Sequence, residues 1–203
     1  MAELLVLVSR LVLVLTSCLL VSSYGQTCTW HEAAVPVASV ECRHTSSLLT
    51  VHYDTAVTCE QDLSGKNLTN APTVSWRNGH SADIYLLIMI DPDASTPCKP
   101  DLRYVIHWAA FVSPSNVTYF LQGSNDLRIT DEFISYRGPH PPEGTPPHRY
   151  QFFLYRWVPE ITLLHPTFLG NDNSSRFHFD YDQFKAVNRL EHLEAFFEFQ
   201  YSR

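Results

Sequence analysis

Two apolar runs constrain the fold of this chain more than any other feature. Ile84 to Ile90 reads IYLLIMI, and Tyr104 to Val112 reads YVIHWAAFV. Runs of this kind are typical of strands that are buried on both faces. Gly and Pro residues cut the rest of the chain into short apolar segments, which also favours strands over helices.

Weaker sequence patterns predict the remaining strands and one helix. Four further segments are strand candidates: Leu49 to Tyr53, Thr73 to Trp76, Arg149 to Val158, and Ala195 to Tyr201. The clearest helix runs from Tyr181 to Arg189, where Asp180 can cap it, Gln183 stands at the capping-box position, and Phe184 and Val187 share one face. We therefore expect a mostly β chain, a β-sandwich-like domain with a short helix near its end.

The N-terminal segment is typical of a secretory signal peptide. Two Leu/Val-rich stretches precede Ser23-Tyr24-Gly25, which supplies small residues before a cleavage point, so we expect residues 1–25 to be removed and residues 26–203 to form one domain. Glu3 and Arg10 are unusual in such a segment. The alternative is a transmembrane anchor, but the apolar run after Arg10 is shorter than the ~20 residues that span a bilayer. The expected location is extracellular, with no transmembrane segment after cleavage.

Cysteines and glycosylation acceptors agree with export. Cys28, Cys42, Cys59 and Cys98 remain after cleavage, and their spacings match no zinc pattern, so two disulfides of unassigned pairing are expected. Three Asn-X-Ser/Thr acceptors occur in polar surroundings, at Asn67, Asn116 and Asn173. The net charge of −7, without a cluster of Lys or Arg, argues against nucleic acid as a partner.

Three polar residues interrupt the apolar segments and are candidates for a functional site. Asp91 and Asp93 follow the first apolar run, His107 lies inside the second, and His148 follows a Pro/Gly-rich loop that is predicted to be irregular from Ser135 to Pro147. Each also has a structural explanation. The acids can stabilise a turn, and a histidine within a strand is usually satisfied by a backbone carbonyl.

Together, an Asp and two His can bind an anion through imidazole donors, and a neighbouring carboxylate is expected to raise the pKa of both histidines. The same residue types resemble a two-His, one-carboxylate metal site and an acid–base pair, but no nucleophile is evident and no hydrolase, metalloprotease or P-loop signature exists. No metal, cofactor or catalytic residue is therefore assigned.

The order of these motifs resembles the phosphatidylethanolamine-binding protein family, which is also called the Raf-kinase-inhibitor-protein and flowering-locus-T-like family. The resemblance extends from Cys42 to Tyr201. Its motifs are Ala71 to Trp76, the DPDA turn within Ile84 to Ala94, Ile106 to Trp108, the GTxxHRY motif within Tyr136 to Tyr150, and Phe179 to Gln200. With its signal peptide and cysteines, the chain is similar to the secreted branch that includes phosphatidylethanolamine-binding protein 4.

The resemblance implies a β-sandwich of two antiparallel sheets with a small pocket for a phosphate or phosphorylethanolamine group, such as a phospholipid head group. By motif, Asp91, His107 and His148 would line this pocket. The residues that would shape it or lie beside it are Asp93, Tyr136, Gly138, Pro141, Pro142 and Tyr150. Members of the family act mostly as regulatory binding proteins, and some inhibit serine proteases or kinases. A head-group-binding protein is therefore the first hypothesis, and a serine-protease inhibitor or other protein-interaction module that uses the pocket rim is the alternative.

Three features depart from the family pattern. Ser95 stands where Pro commonly follows DPDA, the segment between His107 and Tyr136 is longer than usual and includes Asn116, and the sequence stops at Arg203 just after the last strand. The first two are expected to alter the rim of the pocket. The third implies that no ligand contact comes from a C-terminal helix.

Overall fold

The computed structural model describes residues 49–80, 82–114, 126–158 and 174–203. The expected signal peptide, Cys28, Cys42, Asn116 and Asn173 lie outside these residues. The described residues contain eight strands: β1 (Leu49–His52), β2 (Ala56–Val57), β3 (Thr73–Trp76), β4 (Ile84–Asp91), β5 (Val105–Pro114), β6 (Leu127–Ile134), β7 (His148–Trp157) and β8 (Leu193–Tyr201). A 3-10 turn at Ser174–Arg176 and the helix α1 (Tyr181–Val187) lie between β7 and β8.

The strands form two antiparallel sheets. The larger sheet has the order β6-β5-β4-β7-β8, and the smaller has the order β2-β1-β3. The two apolar runs of the sequence are β4 and β5, which are neighbours in the larger sheet, and β7 flanks β4 on its other side. The mostly β fold with two antiparallel sheets is confirmed.

Both faces of the larger sheet are covered, which explains why β4 is apolar throughout. On one face, Leu87 and Met89 belong to the core shared with the smaller sheet. On the other, Leu86 and Ile88 pack in a second core with Phe184 of α1. Since successive side chains of a strand point to opposite faces, a strand between two cores must be apolar at every position.

Helix α1 begins where the sequence predicts. The Asp180 side chain accepts a hydrogen bond from the backbone nitrogen of Gln183 at 2.9 Å, as an N-cap residue does. The helix ends at Val187, two residues before the expected Arg189, which has a left-handed φ of 51°. Val187 is 43% exposed whereas Phe184 is buried, so the expected common buried face of these two residues is wrong.

Two strands were not predicted from the sequence. β2 has only two residues. β6 is an edge strand in which most side chains are exposed, among them Arg128, Asp131 and Glu132. Charged side chains protect such an edge from pairing with other chains, and they also remove the apolar signal of a strand. No helix among the described residues is long and apolar enough to cross a membrane.

Candidate functional site

The candidate residues lie on three adjacent strands of the larger sheet. Asp91 is the last residue of β4, His107 is the third residue of β5, and His148 is the first residue of β7. The segment from Ser135 to Pro147 has no helix or strand, as predicted, and it leads directly into His148. The antiparallel order β5-β4-β7 therefore places all three near one end of the sheet.

Asp91 and His148 are in direct contact. Asp91 Oδ2 lies 2.8 Å from His148 Nδ1, although the two residues are 57 positions apart, and both side chains are almost completely buried. Asp91 Oδ1 accepts a hydrogen bond of 2.7 Å from the backbone nitrogen of Asp93. Asp91 thus stabilises the turn, as the sequence suggests, and it also orients a histidine.

Asp93 forms a buried ion pair with Arg149. Its Oδ2 accepts hydrogen bonds from the Arg149 backbone nitrogen at 2.9 Å and from Nε at 2.8 Å, and its Oδ1 accepts one from Nη2 at 2.7 Å. Asp93 has no exposed surface. Because both of its oxygens are engaged by Arg149, Asp93 supports the site by fixing the start of β7.

His107 is the extra residue of a β-bulge. In the pairing of β4 with β5, Met89 lies opposite Trp108 and the next residue, Ile90, lies opposite Ile106, so His107 has no partner in this register. Bulges redirect side chains and are frequent beside functional sites. The bulge therefore gives His107 an orientation that strand alternation alone would not.

The expectation that a carboxylate would raise the pKa of both histidines is wrong for His107. Burial lowers the pKa of His107 and outweighs the opposing effects of the Asp91 charge and of a hydrogen bond with the Arg137 backbone. His107 Nδ1 lies 2.8 Å from the Arg137 carbonyl oxygen, so the neutral imidazole donates from Nδ1 and leaves Nε2 as an acceptor. The alternative considered from the sequence, a strand histidine satisfied by a backbone carbonyl, describes this contact.

Tyr150 packs between His107 and the core. Its ring packs edge-on against the His107 ring, with centroids 5.2 Å apart. Burial is the main cause that raises its pKa well above the ordinary value, and the Asp91 charge acts in the same direction. Tyr150 therefore stays neutral, and it separates His107 from the core residue Phe199, on which it stacks.

The Pro/Gly-rich loop is anchored at both ends. The Tyr136 hydroxyl donates to the Leu68 carbonyl at 2.9 Å, and a Cβ on Gly138 would collide with the same carbonyl oxygen. Near His148, Thr145 Oγ1 donates to the Pro142 carbonyl at 2.8 Å and lies 3.4 Å from His148 Nε2. Pro141 is buried and Pro142 is exposed.

A cavity of about 450 Å³ lies beside this loop, but it is not lined by the candidate triad. Its walls are residues 66–69, residues 136–140, Tyr201 and Arg203. Of the residues implied by the family resemblance, Tyr136 and Gly138 line it, whereas Asp91, His107 and His148 do not.

Arg176 is a buried residue of the site that the sequence did not suggest. Its guanidinium donates to the His107 carbonyl at 3.2 Å and to the carbonyl and hydroxyl oxygens of Ser135 at 3.0 and 3.1 Å. Burial lowers the pKa of Arg176, and the charge of Arg137 adds to this effect. Arg176 therefore ties β5 to the start of the loop. A lone Arg in a short polar segment carries no sequence signal for such a role, because its partners are distant backbone carbonyls.

Among the residues that the structure describes, no group of three or more His, Cys, Asp or Glu side chains is placed to hold a metal ion.

The family described as phosphatidylethanolamine-binding protein matches residues 45–193, well over half of the chain. The chain belongs to this family. The match includes Asp91, Asp93, His107 and the complete loop up to His148.

Curated relatives support the family over part of their length. Protein FLOWERING LOCUS T of Arabidopsis thaliana is 29% identical over 121 residues, which are 60% of this chain and 63% of that protein. Protein MOTHER of FT and TFL1 homolog 2 of Oryza sativa subsp. japonica is 37% identical over 78 residues, 38% of this chain and 39% of the relative. The matches thus span less than two thirds of these relatives.

Solved structures agree on the fold. A phosphatidylethanolamine-binding protein from Plasmodium vivax gives a TM-score of 0.59 at 23% identity, over 76% of this chain and 84% of that one. A carboxypeptidase Y inhibitor, crystallised with its cognate proteinase, gives a TM-score of 0.58 at 21% identity, over 76% and 82% of the two chains. At this level of identity the likeness bears on the fold alone.

Proposed function

We propose that this protein is a secreted, non-enzymatic binding protein that holds a phosphate or phosphorylethanolamine-type head group at Asp91, His107 and His148. The observation that carries the proposal is the buried contact of 2.8 Å between Asp91 and His148, at the end of a sheet in a chain of the phosphatidylethanolamine-binding protein family. A buried ionisable pair is costly to maintain, and such pairs concentrate at functional sites.

The two histidines can contact different parts of a head group. His148 Nδ1 is directed at Asp91, which leaves Nε2 as the ring nitrogen that can contact a phosphate oxygen. Neutral His107, whose Nδ1 donates to the Arg137 carbonyl, presents Nε2 as an acceptor for an ammonium group or a protonated phosphate. A head group that contains both a phosphate and an amine would use both histidines.

Charge balance supports a ligand of low net charge. Asp93 and Arg149 neutralise one another, and the Asp91 carboxylate contacts His148. A head group that carries both a phosphate and an ammonium has little net charge, so it adds little uncompensated charge to this buried site.

The test is a titration with phosphorylethanolamine, followed by NMR of the imidazole signals. We expect the His148 and His107 signals to shift at millimolar ligand. The variant His148→Gln should bind about tenfold more weakly, because a charge-assisted hydrogen bond is lost. The control is His52→Gln, at an exposed position of β1. Signals that stay in place at millimolar ligand, or equal weakening by both variants, would contradict the proposal.

Export and membership of the secreted branch are part of the same proposal. The apolar N-terminal segment and the four cysteines that would remain after its cleavage support them, since disulfides persist in oxidising compartments. Asn67 is exposed, as a glycan acceptor must be. Expression of the full chain in secreting cells should give a product that starts at Gln26 and loses mass on removal of N-glycans. Retention of the intact N-terminus inside the cells would exclude export by this route.

A second candidate function is inhibition of a protease. The observation in its favour is that a carboxypeptidase Y inhibitor, seen in complex with its cognate proteinase, shares this fold. Incubation of the protein with a panel of serine proteases, carboxypeptidases included, tests this function. Full activity of every protease at excess protein would remove it.

A further inference from the structure

We propose that the cavity of about 450 Å³ beside the Pro/Gly-rich loop is a second binding site, for a small tetrahedral oxyanion such as a phosphate or sulfate ester. The cavity lies between residues 66–69, residues 136–140 and the last strand. Its lining does not include Asp91, His107 or His148, so this oxyanion cavity is separate from the site of the proposed function.

The charged side chains that line the oxyanion cavity are all basic. Lys66, Arg137 and Arg203 line it, and no Asp or Glu is among its described lining residues. This concentration of positive charge occurs in a chain with a net charge of −7. Burial also raises the pKa of Tyr136 to about 12, so its hydroxyl adds no negative charge near neutral pH.

Two of its walls are fixed before any ligand arrives. The Tyr136 hydroxyl donates to the Leu68 carbonyl at 2.9 Å and lies 2.9 Å from the Tyr53 hydroxyl. Gly138 lies so close to Leu68 that a side chain there would collide with its backbone. A site whose walls are already ordered loses little conformational entropy on binding.

Arg203 is also held in place. Its Nη1 donates to His140 Nε2 at 2.9 Å, and its Nη2 donates to Glu143 Oε1 at 3.1 Å. Glu143 partly offsets the Arg203 charge, and Lys66 and Arg137 add two further cations to the lining.

The chemistry of these groups indicates the class of ligand. A guanidinium matches two oxygens of a phosphate or sulfate, and an ammonium adds a point charge. The volume is within the range of about 300–1,000 Å³ that is usual for small-molecule sites. Because Lys66 and Arg137 are exposed at the rim, binding should weaken as ionic strength rises.

The test is a titration of the full protein with inorganic phosphate and, separately, with sulfate and phosphorylethanolamine, followed by backbone amide NMR. The background variant Thr69→Ala removes the glycan acceptor sequence at Asn67, which lines the cavity, and keeps Asn67 itself. We expect the amide signals of residues 66–69 and Gly138 to shift. The double variant Lys66→Gln/Arg137→Gln should bind phosphate at least about tenfold more weakly. The control is Arg77→Gln, an exposed arginine outside the cavity lining.

The outcomes separate this site from the one proposed above. Shifts at residues 66–69 that disappear in the double variant support the oxyanion cavity, whether or not the His148 signal moves. Shifts confined to His107 and His148 would overturn it and leave the proposed function intact. Equal weakening by Arg77→Gln would also overturn it, because binding would then follow the overall charge. A response to sulfate as strong as that to phosphate identifies a general oxyanion site, and a response only to the phosphates identifies a phosphate site.

Discussion

Replacement of Asp93 by asparagine should remove most of the stability that the buried ion pair gives to the start of β7. Asp93 accepts three hydrogen bonds of 2.7–2.9 Å from Arg149, and the two side chains are 0% and 7% exposed. Asparagine keeps one acceptor, which the Arg149 backbone nitrogen can use. It places an NH₂ group opposite the guanidinium, so Arg149 becomes a buried charge without a carboxylate on that side.

Breaking a buried ion pair from one side typically costs about 3–5 kcal/mol. Asp91 and Glu198 also act on Arg149 with their negative charges and retain part of the stabilisation. We therefore expect Asp93→Asn to lower the free energy of unfolding by about 3 kcal/mol, the lower end of this range. Equilibrium unfolding in urea measures the change, with an unaltered m-value showing that the denatured state is unaffected.

The matched control is the ion pair between Arg156 and Glu194. Its Nε–Oε1 distance is 2.7 Å, like that of the buried pair, but its side chains are 43% and 24% exposed. Glu194→Gln should therefore cost less than about 1 kcal/mol. A double-mutant cycle of Asp93→Asn with Arg149→Met should show that the second change costs much less once the first is present. Equal costs for Asp93→Asn and Glu194→Gln would refute the reasoning, because burial would then have no effect.

Three further predictions concern the loop and two buried titratable groups. Gly138→Ala should lower the free energy of unfolding by about 1–3 kcal/mol, since the new Cβ collides with the Leu68 backbone. Gly144→Ala meets no neighbouring atom and loses stability only because alanine disfavours its φ of 76°. Thermal denaturation should therefore show the larger loss for Gly138→Ala. Burial raises the pKa of Glu198, so its contribution to stability is present at low pH and is lost as the pH rises through the folded-state pKa. The stability of Glu198→Gln relative to the unaltered protein should therefore increase with pH. A difference in urea unfolding that does not depend on pH would contradict this. Burial lowers the pKa of His107, so its contribution to stability is present above the unfolded-state pKa of about 6.5 and is lost as the pH falls through the folded-state pKa. Below a pH of about 6.5, His107→Gln should therefore lose less stability on acidification than the unaltered protein. Equal losses would contradict this.

The central strands could be predicted because their surroundings impose a pattern on the sequence. β4 is apolar at every position because cores lie on both of its faces, and the chain from Thr73 to Trp76 forms a strand with the predicted bounds. β6 gave no such signal, since an edge strand that faces solvent needs no apolar side chains. The sequence thus predicts the strands that bury their side chains on the core and misses those that do not.

The candidate residues of the site can be named from the sequence, but the contacts between them cannot. Asp91 and His148 were recognised by their position at strand ends and by the family motif. Which acid contacts which base depends on register between distant strands. The pKa direction of His107 could not be read either, because it follows from the depth of burial, which outweighs the neighbouring charge.

Two consecutive residues of β7 explain why the acidic turn after β4 has acids at both Asp91 and Asp93. His148 and Arg149 are neighbours in the strand, so their side chains project toward opposite faces of the sheet. A single carboxylate cannot reach both. Asp91 binds the first and Asp93 binds the second, while the Asp93 backbone nitrogen donates to Asp91 Oδ1 and fixes the spacing of the two acids.

Through these contacts the acidic turn fixes the start of β7, where the Pro/Gly-rich loop ends. The orientation of His148 is then set by β4 and not by the loop itself. Substitutions of loop residues such as Pro142 can therefore change the rim of the site without moving the His148 imidazole. Replacement of the Asp91 carboxylate should therefore change the orientation of the His148 imidazole even when the loop sequence is unchanged.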